Sequence, residues 1–329
     1  MKKIYILSDI HLALNKKEDW YQKEKHESNL LTILRDIQLN QNNMETELIL
    51  NGDIFDLWAS QINKNTPTIK DIADSNKNVI NALKNIQNKT KIFFISGNHD
   101  KDVKQSDLDN LGLKIKKINT YRDGLIKVNH GHQYSIFNST IKGANYQNKP
   151  LGYFISRILY GKNNYYDFNS ILGYSDDLLE LIFTKKSFPS SVIDALLEQN
   201  NLSLNSKITI DSQKIHFLDV KKSFKNLIEN YKNKNGAWNT IKSLEAEITD
   251  LDYFTRKELY KKDYKLIIHG HTHKQDFTRF SNQKVYANTG KICKKESNFI
   301  ELIKDEDQLI LLTCKVQDKS IIAKSHLIK

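Results

Sequence analysis

The sequence predicts an α/β fold: a two-sheet α/β/β/α sandwich that carries a helical insertion. Three observations support this prediction. The first third of the chain alternates short apolar runs with helical stretches, the middle is mostly helical, and the last third consists of strands separated by short turns. An alternating β-α-β-α-β order is typical of parallel strands joined by right-handed crossovers.

The first third supplies a mostly parallel set of strands. Its apolar runs have the length of buried strands. They are residues 3–8, 46–51, 91–96, 113–118 and 124–129. Residues 27–39 and 69–86 lie between the first three runs, and their apolar residues recur at intervals of three and four. This spacing predicts one amphipathic helix in each of these two segments.

The remaining two thirds of the chain have different patterns of predicted secondary structure. The last third predicts an antiparallel meander with strands at residues 265–268, 284–287, 298–303, 309–315 and 320–324. The middle opens with an aromatic stretch over 134–168 and then predicts helices at 178–183, 191–199, 220–231 and 237–260. A loop of this length is implausible unless it folds as its own unit. We therefore predict a main domain of residues 1–132 and 263–329, and a helical insertion or lid over 133–262.

Composition narrows the class of protein. Hydrophobic residues make up 39% and charged residues 27% of the 329 residues, as in globular proteins. No run of 18 or more apolar residues occurs, so no membrane span is predicted. Two cysteines are too few for a disulfide framework, which favours the cytoplasm. The net charge of +11 raises nucleic acid as a partner, but the lysines are spread along the chain rather than clustered.

Five short polar motifs stand where predicted strands end. They are Asp9-Ile10-His11, Gly52-Asp53-Ile54-Phe55-Asp56, Gly97-Asn98-His99-Asp100, Asn129-His130-Gly131-His132 and His269-Gly270-His271-Thr272-His273. Open α/β sheets place their ligands at the carboxyl ends of parallel strands, so we expect one cluster. The glycines permit the tight turns that such a cluster needs.

The donor types of this cluster indicate metal binding. Carboxylate, imidazole and amide groups without a thiolate suit Mn²⁺, iron, Zn²⁺ or Ni²⁺ better than copper or iron–sulfur chemistry. Seven such ligands are too many for one tetrahedral zinc and suit two cations that share a carboxylate. Two cations roughly 3.5–4 Å apart can hold a hydroxide between them and clamp the oxygens of an in-line phosphoryl displacement.

Taken in order, the motifs Asp-x-His, Gly-Asp-x-x-Asp, Gly-Asn-His-Asp, a strand-ending His and Gly-His-x-His resemble the calcineurin-like metallophosphoesterase family. The resemblance covers residues 1–132 and about 263–303. The ordered set is highly specific, whereas any one motif alone is weak. It implies a sandwich of the metallophosphoesterase type, a catalytic main domain and two divalent metal ions, with manganese as the first choice and iron, zinc or nickel as alternatives.

The resemblance also implies a role for each motif residue. The metal ligands would be Asp9, His11 and His273 for the first ion and Asn98, His130 and His271 for the second, with Asp53 bridging the two. His99 would contact the phosphate and protonate the leaving oxygen, and Asp100 would orient it. A carboxylate beside a histidine raises the basicity of the imidazole and fixes its tautomer.

Some assignments have alternatives. His132 competes with His130 as a ligand, because residues two apart on a strand point to the same face. Asp56 is expected to brace the site through hydrogen bonds. Substrate contacts are predicted for Asn98 and His99. Arg157 in the insertion is a further candidate for substrate contact, with a solvated surface position as its alternative.

The implied activity is that of a metal-dependent phosphoric ester or phosphoanhydride hydrolase. Residues 52–58 and the position of the insertion resemble the branch of UDP-2,3-diacylglucosamine pyrophosphohydrolases. His99 and His132 depart from that branch, which favours a more generic phosphodiesterase or phosphatase. We therefore predict a substrate that is a phosphate-containing small molecule or is nucleotide-like. A nuclease acting on DNA or RNA, a protein phosphatase and a non-catalytic scaffold are the alternatives.

Overall fold

The structure, a computed structural model, forms two compact units. It describes residues 1–138, 145–160, 190–246, 251–281, 283–294, 296–306 and 308–328. The first unit comprises Met1–Leu57, Thr68–Gly131 and Leu251–Lys329. The second comprises Trp58–Pro67 and His132–Asp250. The helix predicted at 178–183 and the aromatic residues between 161 and 168 lie outside the described residues.

Strands and helices follow one another through the described part of the chain. In chain order they are β1 (Lys2–Leu7), α1 (Lys23–Asn40), β2 (Glu45–Asn51), α2 (Ile69–Ser75), α3 (Lys77–Ile86), β3 (Lys91–Ile95), α4 (Gln105–Asn110), β4 (Ile115–Ile118), β5 (Tyr121–Asp123), β6 (Ile126–Val128), β7 (Asn145–Tyr146), β8 (Lys149–Pro150), α5 (Leu151–Leu159), α6 (Ser190–Gln199), β9 (Lys207–Ile210), β10 (Gln213–His216), α7 (Phe217–Phe224), α8 (Leu227–Asn235), α9 (Ala237–Glu245), α10 (Asp252–Lys261), β11 (Leu266–His269), β12 (Gln275–Ser281), β13 (Lys284–Thr289), β14 (Asn298–Lys304), β15 (Leu309–Gln317) and β16 (Ser320–Ile328).

One sheet of the first unit combines the parallel strands with the terminal meander. Its strand order is β16-β15-β14-β1-β2-β3-β4. Strands β1 to β4 are parallel, as the β-α-β-α-β order predicts. Strand β14 is antiparallel to β1, and β14 to β16 form an antiparallel meander. The predicted parallel pairing of β1 to β3 and the predicted antiparallel meander of β14 to β16 are therefore confirmed.

The second sheet has the order β12-β13-β11-β6-β5. Strand β11 is parallel to both β6 and β13. The prediction that the strands at 265–268 and 284–287 belong to an antiparallel meander is therefore wrong. The antiparallel partner of β13 is β12, which was not predicted because its sequence is largely polar and it lies at the sheet edge. Polar edge strands lack the alternation on which strand prediction depends.

Side-chain alternation along β1 explains how the layers pack. Ile4 and Ile6 belong to a core between the two sheets, whereas Tyr5 and Leu7 face a second core beneath helices. Helix α1 packs against α3 over this second core, and α10 packs against β11 and β13 of the other sheet. Each fully buried aliphatic side chain stabilises this arrangement by roughly 1.5–3 kcal/mol. The predicted α/β/β/α layering is confirmed.

The helix predicted over 69–86 is two helices. Asn76 separates α2 from α3, because its backbone leaves the helical region at φ −120° and ψ 41°. Its side-chain amide donates to the carbonyl oxygens of Ala13, at 2.7 Å, and Ile72, at 2.8 Å. A short polar side chain that bonds to nearby backbone is a known competitor of the helical ladder. The periodicity predicted helix in both halves but not the break.

The second unit contains helices α5 to α9 and the hairpin of β9 and β10. The helix predicted over 220–231 is broken between α7 and α8, and the one over 237–260 ends as α9, with α10 a separate helix of the first unit. No helix in the described part of the chain is both long and apolar enough to cross a lipid bilayer.

Arg157 stabilises the interior of the second unit. Its side chain is fully buried, and its guanidinium group donates to the carbonyl oxygens of Ser60 at 2.8 Å and of Gln61 and Lys64 at 2.7 Å. It also donates to the hydroxyl of Tyr153. The prediction of a substrate-contacting or solvated Arg157 is therefore wrong. The buried face of α5 carries this side chain inward, where its five donors satisfy loop carbonyls.

Candidate metal centre

The five sequence motifs meet at the carboxyl ends of strands in the first unit. Three groups of side chains there have ligand atoms that all lie within 4.8 Å of one another: Asp9, His11, Asp53 and His273 form the first, Asp53, His130 and His271 the second, and His11, Asp56 and His99 the third. Asp53 belongs to the first and second groups, as a bridging ligand must. Parallel strands end on the same side of a sheet, which is why residues far apart in sequence converge here.

In the first group, two imidazoles and a carboxylate point at a common position. His11 Nε2 lies 3.2 Å from His273 Nε2, and His273 Nε2 lies 3.1 Å from Asp9 Oδ1. His11 Nε2 is also 4.0 Å from Asp53 Oδ2. Nitrogen and oxygen donors that crowd together in this way match the donor set of a bound divalent cation.

In the second group, His130 likewise directs a ring nitrogen toward the Asp53 carboxylate. Its Nδ1 lies 2.8 Å from the carbonyl oxygen of Asn51, and a carbonyl only accepts, so Nδ1 carries the hydrogen. The lone pair of Nε2 then faces Asp53 Oδ2 at 3.3 Å, an arrangement that requires a proton or a cation. Burial alone would lower the pKa of His130, but the carboxylates of Asp53 and Asp9 raise it to about 9. The surroundings of His130 therefore favour positive charge, so these residues fit divalent metal ions.

The carboxylates of Asp9 and Asp53 are each anchored by hydrogen bonds to one of their two oxygens. Asp9 Oδ2 accepts hydrogen bonds from the backbone N–H of His271, at 3.0 Å, and from the hydroxyl of Ser8. Asp53 Oδ1 accepts from the backbone N–H of His99 at 2.8 Å. Although burial raises it, neighbouring imidazoles, His130 foremost, hold the pKa of Asp53 well below its usual value. The other oxygen of each ionised carboxylate is thereby directed toward the imidazoles.

His99 is oriented by Asp56 and not by Asp100. His99 Nδ1 lies 2.8 Å from Asp56 Oδ1, 43 residues away in the sequence. Asp100 instead accepts hydrogen bonds from the backbone N–H groups of Ile54, at 2.7 Å, and Gly97, at 2.6 Å. The prediction that Asp100 orients His99 is therefore wrong, because the Asp100 carboxylate binds the backbone of the two neighbouring motif loops.

The environment of His99 favours the protonated imidazole. Burial alone would lower the pKa of His99, but the carboxylates of Asp56 and Asp53 raise it above the usual value. Asp56 is also 3.4 Å from His11 Nδ1, so one carboxylate positions two motif histidines. The predicted bracing role of Asp56 agrees with these contacts. An imidazole that holds its proton can donate it to a leaving oxygen.

Asn98 is a predicted ligand outside these groups, and His132 is the predicted alternative to His130. Asn98 is buried in the loop that follows β3. His132 opens the second unit and begins a short 3-10 helix. Among the described residues, the groups of clustered histidines and acids include His130 and do not include His132.

Backbone strain is concentrated in this site. Five of the predicted ligands have left-handed φ angles: Asp9 at 52°, His11 at 55°, Asp53 at 53°, His271 at 71° and His273 at 60°. This conformation costs a residue with a side chain about 1–2 kcal/mol. Such strain persists where the surrounding structure enforces it, commonly at functional sites. No pattern in the sequence predicted these left-handed backbone conformations.

The absence of a side chain at position 97 lets the second and third motifs approach. A methyl group on Gly97 would collide with the carboxylate of Asp53 and lie 2.5 Å from its backbone nitrogen. We expect Gly97→Ala to displace Asp53 and to lower metal content by roughly tenfold to 100-fold. Elemental analysis of the protein after loading with Mn²⁺ checks this.

Gly124 offers a matched control for the Gly97 variant. Gly124 has a left-handed φ of 58° but open space around its Cβ position. Gly124→Ala is expected to lower the free energy of unfolding by about 1–2 kcal/mol and to leave metal content unchanged. Equal metal content in the two variants would contradict the steric explanation for Gly97.

Trp20 and Lys294 also belong to this site, and no motif marked them. The Trp20 ring centroid lies 4.5 Å from that of His11 and 5.0 Å from that of His273. The Lys294 ammonium lies over the Trp20 ring, 4.5 Å from its centroid. The only available signal in the sequence was a tryptophan within a charged segment, nine positions after His11.

Comparison with known proteins gives the family. Residues 2–275 match the model of the calcineurin-like phosphoesterases. No curated protein sequence matches the chain. Similar solved structures include Vacuolar Protein Sorting 29 from Cryptosporidium parvum, with a TM-score of 0.39, 11% identity and coverage of 99% of this chain and 97% of that chain. A dimetal phosphatase from Danio rerio has a TM-score of 0.38, 11% identity and coverage of 99% and 98%.

The TM-scores and identities of these two structures are too low to support any conclusion about this chain. Membership of the family therefore depends on the match to the family model. That match spans most of the chain. Its members bind divalent metals, and the clustered carboxylates and imidazoles fit such ions. The chain therefore belongs to the calcineurin-like phosphoesterase family and has its two-sheet metallophosphoesterase fold.

Proposed function

We propose that the chain is a dinuclear metal-dependent hydrolase of phosphate esters or phosphoanhydrides. One observation carries the proposal: the Asp53 carboxylate belongs to two separate groups of metal-type ligands. The ligands would be Asp9, His11 and His273 for one ion and Asn98, His130 and His271 for the other, with Asp53 shared. When bound, two such cations supply an activated water and neutralise the charge on the phosphoryl oxygens.

The side chains of the protein would position and protonate the reacting groups. Asp9 and Asp53 are each anchored through one oxygen by backbone N–H groups, so their other oxygens are held ready for the ions. His99 would donate a proton to the leaving oxygen. Because Nδ1 of His99 is engaged by Asp56, Nε2 is the donating atom in this proposal.

The proposed substrates are phosphodiesters, pyrophosphates or phosphomonoesters on small molecules, with manganese as the first metal to test. Each of the seven ligand positions of the motifs holds a residue that can bind a metal ion. This favours an enzyme over a scaffold that has lost its metal site. The role of residues 133–262 as a lid that selects the substrate, and a location in the cytoplasm, belong to this proposal as well.

A metal-supplemented substrate screen tests the proposal. The protein is stripped of metal, reloaded with Mn²⁺, and assayed with phosphomonoesters, bis(p-nitrophenyl) phosphate, cyclic nucleotides, nucleotide-sugars and oligonucleotides. We expect turnover of at least one class that requires added metal and disappears with a chelator. Protein that takes up no Mn²⁺ and hydrolyses nothing would instead favour a scaffold.

The oligonucleotide arm addresses the nuclease alternative suggested by the net charge of +11. A nuclease would bind oligonucleotides with an affinity that falls steeply with salt concentration, because phosphate contacts release counterions. Weak binding with a flat salt dependence, together with no cleavage, would exclude it.

A further inference from the structure

One side of helix α10 combines aromatic and basic side chains. They recur at intervals of three and four, so they share one side of the helix. We call this set the basic-aromatic face, and its members are Tyr253, Arg256, Lys257, Tyr260 and Lys261. Thr255 and Leu259, on the opposite side of the helix, are buried against the first unit. The fold therefore presents the five residues of the face to solvent.

The cations of this face lie over its rings. The ammonium of Lys257 is 5.9 Å from the ring centroid of Tyr253, and the guanidinium carbon of Arg256 is 5.9 Å from that of Tyr260. Arg256 is also 5.9 Å from the ring centroid of Phe280 on β12, so this strand of the same unit extends the face. Tyr260 is nevertheless 57% exposed, which leaves a large part of it accessible to a ligand.

The face carries an excess of positive charge. In the part of the chain that the structure describes, Arg256 and Lys261 form no ion pair with a carboxylate. Glu258, in the middle of the helix, is engaged by the Lys127 ammonium at 2.6 Å. The other acidic residue of the helix, Asp252, lies in the first turn, at the end opposite Lys261. Although lysines are spread along the sequence, the helix gathers several cations that are free to meet an anion.

The helix begins beside the candidate metal centre. A methyl group on Gly131, the neighbour of His130, would lie 2.5 Å from the side chain of Leu251, which directly precedes α10. Tyr260 lies nine positions further along, or roughly 14 Å at the rise of an α-helix. A polymer bound to the basic-aromatic face therefore lies close to the site at which phosphate esters would be hydrolysed.

Single-stranded nucleic acid matches this face in both charge and shape. Its phosphates bind cations and its unpaired bases stack on aromatic rings, the combination by which proteins hold single strands. The bases of a duplex are covered by their neighbours, and an acidic peptide offers few rings. The face includes no aliphatic side chain, which a membrane-binding helix would insert among the lipids.

We propose that the basic-aromatic face, with Phe280, binds single-stranded nucleic acid. Bases stack on the exposed ring of Tyr260, and phosphates contact Arg256 and Lys261. The inference goes beyond the proposed function, because it concerns binding and does not require that the strand be cut.

Fluorescence anisotropy of labelled single-stranded RNA and DNA tests the proposal. Oligonucleotides of about 12 nucleotides fall within the site size of such surfaces. The whole chain is used with a chelator present, so that no strand is cut during the measurement. We expect the logarithm of the binding constant to fall linearly with the logarithm of the salt concentration. At physiological ionic strength, a duplex of the same length should bind at least roughly threefold more weakly.

Two variants separate stacking from charge. Tyr260→Ala should weaken binding roughly 5–100-fold and leave the salt slope unchanged, because stacking releases no counterions. Lys261→Ala should lower the magnitude of the slope by about 0.7, the contribution of one phosphate contact on a single strand. Both side chains are exposed, so the melting temperature should stay the same.

The chain offers a matched control for each variant. Trp238, in the second unit, is 60% exposed and has the ammonium of Lys242 5.3 Å from its ring centroid. Lys25 is an exposed lysine of α1. Trp238→Ala and Lys25→Ala should bind the oligonucleotides as the wild type does.

The possible outcomes decide between partners. Undetectable oligonucleotide binding by the wild type, or unchanged binding by Tyr260→Ala, would overturn the proposal. Tighter binding of polyglutamate or of vesicles containing phosphatidylserine, lost in Tyr260→Ala, would overturn it as well, because the partner would then be an acidic peptide or a membrane. The assay requires no hydrolysis, so a wild-type protein that cleaves no ester refutes the proposed function and leaves this inference to be decided by binding.

Discussion

Replacing His99 by alanine is expected to lower kcat roughly 10²–10⁴-fold while the protein keeps its bound metal. His99 is not among the predicted metal ligands, but it is buried beside them, and its Nδ1 is bonded to Asp56. The carboxylates around it favour the protonated imidazole, which a strongly basic leaving oxygen requires. Turnover of an alkyl phosphate ester, whose alkoxide leaving group is strongly basic, and elemental analysis measure the two quantities.

Two further variants interpret the His99 result. Asp56→Asn should reproduce part of the loss, because an amide can still hold the ring but no longer stabilises its positive charge. His326→Ala, on the edge strand β16, removes a histidine that stacks on Phe277 at 3.8 Å and lies outside every motif. Its turnover should equal that of the wild type. Intact turnover in His99→Ala would refute the assigned role.

Asp53→Asn is expected to remove most of the bound metal and to lower turnover by on the order of 10³-fold or more. Asp53 is the one side chain shared by the two ligand groups. Asparagine retains an oxygen that can accept the N–H of His99, so the fold is expected to survive. The missing charge weakens the binding of both ions because each would lose a carboxylate.

Metal content after loading with Mn²⁺, and the rise in melting temperature that Mn²⁺ causes, check this expectation. A ligand present at 100 times its dissociation constant stabilises the folded state by about 2.7 kcal/mol, so loss of binding removes the shift. Asp109→Asn, which changes an exposed aspartate on α4, is the matched control and should keep metal and activity. Full metal occupancy in Asp53→Asn would show that Asp53 does not bridge the ions.

The sequence predicted which residues form the site better than it predicted which of these residues contact one another. The order of five motifs at strand ends identified Asp9, Asp53 and His130 as residues that converge, because strand direction alone places them at one edge. It paired His99 with its neighbour Asp100, whereas the structure pairs it with Asp56. Adjacent residues need not face each other, and only the fold of the two loops decides which carboxylate meets the ring.

Local patterns in the sequence by themselves determined the alternation of strands and helices, the terminal meander and the set of polar side chains at strand ends. Periodicity and turn chemistry encode these features within a few residues. The tertiary structure decided the parallel pairing of β11, the burial of Arg157, the left-handed backbone of the ligands and the placement of Lys294 over Trp20. Each of these depends on contacts between segments far apart in the chain, which packing selects and no local pattern specifies.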